Sequence, residues 1–451
     1  PARYDDYNIT IKNAHISPKT HNTMLYPLLV NEDNPITGTL DYTNYAGKHL
    51  SWSFAYTDEE YVNIIQPKDE LLNSYKYRYN AFYDTEYEFS NPYEIAVYTS
   101  SASGVLPGFN KEFTYTYDEI DNGDGTYTTK IYADSLDNLP TRIRFENNNN
   151  LLTVNKLNIS KLTDLVNLFF NCPNLLSVKC AKDWDTSNIT NMDSAFYCCS
   201  KLVELDVSNW HVYNVRSFWR TFYNCSTLTE LDVSKWTTRS ATNLESIFRG
   251  CSNLTSLDVS GFDMSKVINA MQMFSDCKSL TSLDLRNWDV SGVTNLARLV
   301  SNCSALVDFK TNFVLNKAML MEFIYGCASL KDLSNMKLSG TVTNINGFAY
   351  YVPATSLNLS TLDCTYETAG MSIYTFINSK ITEFYPPTNI SQSIDFRHTT
   401  TLSIDSFVRI FNNLITTTET RTITLNVNIV NRLTEEQIAI ATNKGWTVTT
   451  P

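Results

Sequence analysis

Between residues 151 and 336 the apolar positions of this chain change period twice in every unit of about 26 residues. In one copy Ile189, Met192, Phe196 and Cys199 recur three or four apart, which predicts a short helix with one apolar face. Leu205 and Val207 then alternate with Asp206, which predicts a short strand with the aspartate turned outward. Ser208-Asn209 leads into the next unit. The columns repeat from copy to copy. Phe169, Phe196, Phe222, Phe248 and Phe274 share one slot, which Val300 and Ile324 continue; Leu202, Leu228, Leu254, Leu280, Leu306 and Leu330 share a second. Trp184, Trp210, Trp236, Phe262 and Trp288 form a third, aromatic column.

Cysteines mark the register: Cys172, Cys199, Cys225, Cys251, Cys277, Cys303 and Cys327 lie 27, 26, 26, 26, 26 and 24 apart. No such unit can bury its apolar face alone, so neighbours stack and close the core for each other. The expected fold is an α/β solenoid of about nine or ten coils, its strands forming one parallel sheet with a spacing of about 4.8 Å. A stacked array presents long binding surfaces, so binding is expected before catalysis.

The flanks read differently. Residues 1–150 carry no repeat and form a β-rich, sandwich-like domain for anchoring or assembly. Phe113–Tyr117 and Thr126–Tyr132 alternate around a Gly-containing turn, as in a hairpin. The tyrosine-rich run from Tyr75 to Tyr83 suits either a sheet or sugar stacking. The solenoid spans 151–400, and 401–451 form a capping repeat: Ile404–Phe411 is an amphipathic helix, 422–427 a strand, and a second helix is capped at Thr434.

Three phrases carry a family resemblance: Asn191-Met192, the F-x-x-C-x-x-L run, and Leu-Asp-Val-Ser-x-Trp at 205–210 and 231–236, with Phe at 257–262. They resemble the BspA-like leucine-rich-repeat family of bacterial surfaces and some bacteriophage proteins. The resemblance implies an adhesive role. The closing run Ile438–Thr447 is similar to the ends of repeat proteins encoded by phages.

The cysteines sit in core slots beside Phe and Leu, so they read as buried thiols; Cys180 joins them, while Cys198 and Cys364 lie off the column and read as the exposed ones. Reduced thiols fit assembly in a reducing cytosol. The five histidines are scattered and no metal-ligand spacing appears, so no metal or cofactor is expected. The Asp118–Gly125 loop reads as a plain turn because it lacks the order of a calcium loop. A net charge of −12 without a Lys/Arg run argues against nucleic acid, and no apolar stretch suits membrane insertion. The Pro1 start fits a chain trimmed of an initiator methionine and made without a cleaved signal.

Two surfaces are candidates for binding. Asp206, Asp232, Asp258 and Asp284 stack in one outward row between Lys179 and Lys310, with Glu204 and Glu230 beside it. At about 5 Å in water each neighbour repulsion is only about 0.8 kcal/mol, so the row needs no ion. It suits a basic partner, a cation or sugar hydroxyls; alternatively each Asp caps a turn. The second candidate is Tyr213, Arg216, Trp219, Tyr223 and Arg249, residue types common at interface hot spots. No catalytic motif appears, and repetition explains the carboxylate pairs better than glycosidase geometry does.

Together these features lead to the expectation of a non-enzymatic virion protein, made in the host cytoplasm. Residues 1–150 would dock to other virion proteins of the tail, baseplate, fibre or capsid decoration, and the solenoid would hold a host-surface protein or polysaccharide. A homo-oligomer is compatible. The alternative is a bacterial cell-surface adhesin, and a glycan-degrading enzyme is third.

Overall fold

The slot before each column cysteine holds Asn171, Cys198, Asn224, Gly250, Asp276, Asn302 and Gly326. All seven have positive φ, between 54° and 77°. Asn, Asp and Gly reach this left-handed region with least strain, and no α-helix can contain it. The computed structural model describes residues 94–451 except 111–112, 136, 369–370 and 372–374, and outside that span four short strands.

Those four are β1 (Thr10–Lys12), β2 (Tyr61–Asn63), β3 (Arg78–Ala81) and β4 (Thr85–Glu88), paired antiparallel as β1–β2 and β3–β4. They belong to a compact unit of residues 1–94 and 132–138. The rest of the expected sandwich, and the side chains of the tyrosine-rich run, lie outside the described residues.

The second unit, 95–131 and 139–451, holds the solenoid. The next strands along the chain are β5 (Glu94–Ser100), β6 (Gly108–Phe109), β7 (Tyr115–Asp121), β8 (Tyr127–Ala133), β9 (Ile143–Arg144), β10 (Leu151–Leu157) and β11 (Ser177–Val178). Five of them order as β11-β10-β5-β8-β7. The expected hairpin is β7–β8, closed by the Asn122 N–H on Thr126 O at 3.0 Å. β10 pairs antiparallel with β5 on one edge and parallel with β11 on the other. A non-repeat sheet thus covers the first coil edge, which would otherwise be an open pairing template.

The predicted helix of each repeat does not form. From Met192 to Cys199 the chain makes successive tight turns: the Ala195, Tyr197 and Cys199 N–H groups donate to the Met192, Ser194 and Phe196 carbonyls. The alternate donors leave the coil. Met192, Ser194, Phe196 and Cys198 N–H groups bond Ser217, Trp219, Thr221 and Tyr223 O in the next coil. The same four-bond set recurs from Phe218, Arg220, Phe222 and Asn224, and from Leu244, Ser246, Phe248 and Gly250. Turns of three residues return side chains to one face as a helix does, so the apolar spacing alone fits both. The left-handed Asn and Gly slots decide it.

The predicted strand is also mostly absent. Across 204–281 the Leu-Asp-Val segments carry no ladder beyond the Ser177–Glu204 bridge. Parallel bridges instead run Asp164–Asn191–Ser217–Asn243–Asn269–Asn295–Met319, one per coil. Regular strands return as β12 (Ser282–Asp284), β13 (Asp308–Met319), β14 (Met336–Asn344), β15 (Ser356–Asn358), β16 (Leu362–Asp363) and β17 (Glu383–Tyr385). The fold is therefore a β-solenoid of about 12 turns with little helix, not an α/β repeat of nine or ten.

The core columns stand as the sequence arranges them. Neighbouring Phe rings from Phe145 to Phe274 lie 5.3 to 6.0 Å apart. Trp184, Trp210, Trp236, Phe262 and Trp288 stack nearly parallel at 5.5 to 6.3 Å. All ten cysteines are free thiols; nine of them, Cys364 included, are buried, and only Cys198 is half-buried. Cys364 was expected at the surface; it is buried because its coil places it inward beside Glu367. Each column thiol donates to a carbonyl one coil back, as Cys225 does to Phe196 O at 3.1 Å and Cys251 to Phe222 O at 3.2 Å.

The tail follows the expected order: α1 (Ile404–Asn412), β19 (Arg421–Leu425), α2 (Val427–Val430), α3 (Glu435–Thr442) and β20 (Trp446–Thr449), with β18 (Ile394–Phe396) pairing β19. Thr434 and Gln437 form the capping box of α3.

Candidate functional site on the turn face

Because the turns point alternate side chains outward, one outward slot follows each column Phe. It holds Phe170, Tyr197 and Tyr223 in succession. Their rings stack at 4.7 and 4.8 Å. The next rung is Arg249, whose guanidinium lies 5.4 Å from the Tyr223 ring. Arg249 is fixed by Asp276 at 3.3 Å and by Gln272 at 2.8 Å.

Trp219 lies beside this strip, half-buried, while Phe218 next to it is in the core. The Trp219 Nε1 donates to Glu245 Oε1 at 3.2 Å, and its backbone N–H to Asp193 at 2.9 Å. Arg220 bridges the two aromatic positions, 4.4 Å from the Trp219 ring and 5.6 Å from that of Tyr223. Among the described residues no carboxylate pairs with Arg220. It stands in a left-handed slot, φ 56°, half-buried, and its Nε is buried without a hydrogen-bond partner. Burial, with Cys198 and Tyr223 nearby, holds the Tyr197 hydroxyl above its ordinary value.

Of the five residues predicted for this cluster, Trp219, Tyr223 and Arg249 come together. Tyr213 does not join them; it sits under Arg239 at 4.8 Å. Arg216 is exposed, and its backbone carbonyl takes the Thr242 N–H at 2.8 Å. Phe170, Tyr197 and Arg220 belong to the site and were missed. The aromatic at the position after the column Phe, repeated in three coils, is the signal that finds them.

The acidic row is exposed, and its carboxylates are engaged within their own turns. Asp206 Oδ1 accepts from the Ser208 N–H at 3.0 Å and its hydroxyl at 2.6 Å; Asp232 does the same with Ser234. Asp258 takes the Ser260 N–H at 2.9 Å, and Asp284 is clamped by Arg286 at 2.6 Å. The serine donors hold Asp206 and Asp232 below the usual carboxylate range, and Arg286 does so for Asp284. Glu204 and Glu230 flank the row as exposed side chains. This is the geometry of Asx turns that close each coil. Among the described residues no group of His, Cys, Asp and Glu is arranged to hold a metal. Among them, too, no helix is long and apolar enough to cross a membrane.

A family model described as "Mycoplasma protein of unknown function, DUF285" matches residues 141–243 and again 220–336. The two matches cover the coils that carry the cysteine column, and they fit the resemblance to a surface-repeat family. No curated protein matches the chain.

Proposed function

We propose that this chain is a non-enzymatic adhesion and structural protein of a virion, with residues 1–150 docking to the particle and the solenoid turned toward a host-cell surface. The observation that supports it is the Trp219–Arg220–Tyr223–Arg249 cluster. It is half-exposed, held together by cation–ring contacts and built from the residue types that dominate interface hot spots. The faces of the Tyr223 ring are already covered by Tyr197 and Arg249, so a ligand meets ring edges, hydroxyls and an unpaired guanidinium. Those groups suit a protein receptor bearing carboxylates better than a stacked sugar.

The test is attachment of the purified full chain to cells of the host. Trp219→Ala and Arg220→Ala are each expected to reduce attachment tenfold or more while leaving the melting temperature within a few degrees. Unchanged attachment by both variants overturns the role of the strip.

The second reading is a bacterial cell-surface adhesin, favoured by the cellular genus named in the family match. Proteomics of purified particles against cell envelopes separates the two: enrichment in envelopes alone sinks the virion reading.

A further inference from the structure

β13 and β14 pair in parallel over Thr311–Leu315 and Met336–Gly340, so that far the strands continue from coil to coil. The next coil breaks the series. β14 joins β16 only at Gly340–Leu362 and Thr341–Asp363, while β15 belongs to a separate sheet with β17. The first half of β14 and the whole of β15 therefore flank a gap. Gly340 makes the departure possible: its φ is 95°, and a Cβ there would lie 2.1 Å from Leu315 O. The gap is pinned shut at one end, where the Thr361 hydroxyl donates to Leu338 O and the Gly340 N–H to Thr361 O at 3.1 Å.

A cleft of about 730 Å³ fills the gap, within the roughly 300–1,000 Å³ that small-ligand sites span. Its floor is Met336 and Leu338, both buried. A second groove of about 560 Å³ extends the same surface past Asn312 and Lys337 toward Arg286. The walls are polar: Asn312, Asn358, Ser334 and Ser356 among them. Asn358 spends its Oδ1 on the Ser360 N–H at 3.0 Å, which leaves its Nδ2 donors to a ligand. Tyr385 stands at the rim, 38% exposed, with Arg409 over its ring at 4.3 Å and Glu383 holding that arginine at 3.0 Å.

The charges select the ligand. Lys331 and Lys337 are exposed, and among the described residues neither has a carboxylate partner. Asp332 is the acid of the cleft, and its Oδ1 is engaged by the Ser334 N–H at 2.8 Å. Arg286 is neutralised by Asp284 at 2.6 Å. Two free ammonium groups, amide and hydroxyl donors and one half-exposed ring therefore line one cleft in a chain of net charge −12.

We propose that this cleft binds an anionic polyol chain, such as a carboxylated oligosaccharide or a phosphate-linked polyol. Lys331 and Lys337 take the anionic groups, Asn312 and Asn358 the hydroxyls, and Tyr385 carries an apolar sugar face. The site lies in coils other than those of the turn-face cluster and stands whether or not that cluster binds a receptor.

The experiment is calorimetric titration of the full chain with four probes: a uronic-acid tetrasaccharide, the same sugar with its carboxyls reduced, a glycerol-phosphate tetramer and an acidic octapeptide. One or both anionic polyols are expected to bind at least tenfold tighter than the reduced sugar, and which of them does so names the source. Lys331→Gln with Lys337→Gln is expected to lower that affinity at least tenfold, Tyr385→Ala severalfold, and Trp219→Ala not at all. Equal binding of the reduced sugar, an unchanged double variant, binding of the peptide alone, or no binding by a chain with native circular dichroism would each overturn the proposal.

Discussion

The Cys251 sulfur rests 3.2 Å from the Phe222 carbonyl oxygen, fully buried, and burial pushes its thiol up to about 12. Nothing in that slot favours thiolate chemistry. In the native protein a thiol reagent is therefore expected to titrate one group, Cys198, which alone is half-buried, and all ten after denaturation. Labelling of several thiols without unfolding would contradict the packed column. Cys251→Ala removes a buried hydrogen bond and some volume, an expected loss of about 1–2 kcal/mol by chemical denaturation, with Cys251→Ser in between. Glu367 titrates in the opposite sense to the surface acids. Burial raises it to about 7 in the fold, opposed in part by Cys364. A carboxyl raised on folding releases its proton more easily when unfolded. Its share of stability is thus fully present below about pH 4.5 and falls as pH rises toward 7, by about 3 kcal/mol in all. Glu367→Gln is expected to flatten that decline and to be the more stable protein at pH 8, as urea titrations across pH would show.

At the scale of the element, the turns depend on a few side-chain acceptors. Asp232→Ala deprives the Ser234 N–H and hydroxyl of their acceptor, and a loss of about 1 kcal/mol is expected on the exposed face. Asp232→Asn keeps the acceptor and should restore most of it in the same melting assay. The column residues were legible in the sequence because burial repeats in register: Phe, Leu, Trp and Cys each kept their slot. The element type was not. A spacing of three to four residues is shared by helices and by successive turns, and the distinction lay in Asn171, Asn224, Gly250 and Asn302, residues that tolerate left-handed backbone. Arg220 and Glu322 occupy equivalent left-handed slots without any compositional hint. The Trp219–Tyr223–Arg249 grouping was legible as residue types in neighbouring coils. The cleft at Lys337 and Tyr385 was not, because it arises where the register slips and periodicity offers no guide.

Across the whole molecule each coil touches its neighbours, so stability is a sum of coil and interface terms. Deleting Lys278–Cys303, one whole repeat, rejoins equivalent positions. Such a variant is expected to fold with the native circular dichroism and a lower melting point, whereas deleting half that span should abolish the cooperative transition. The ladder on the turn face has one further property. Its bonds run one way: Phe222 donates to Ile247, Phe248 to Met273 and Phe274 to Leu299, always from one coil to the next. On that face one or two bonds per coil, such as Thr190 to Thr163, oppose them, and elsewhere on the coil others run back as well, such as Ser279 to Ser252 and Val307 to Thr281. On this face the peptide dipoles therefore do not cancel as they do in an ordinary sheet; most of them add along the stacking axis as they do in a helix. The turn face thus carries a built-in polarity, positive toward its later coils and negative toward its earlier ones, before any side chain on that face is counted.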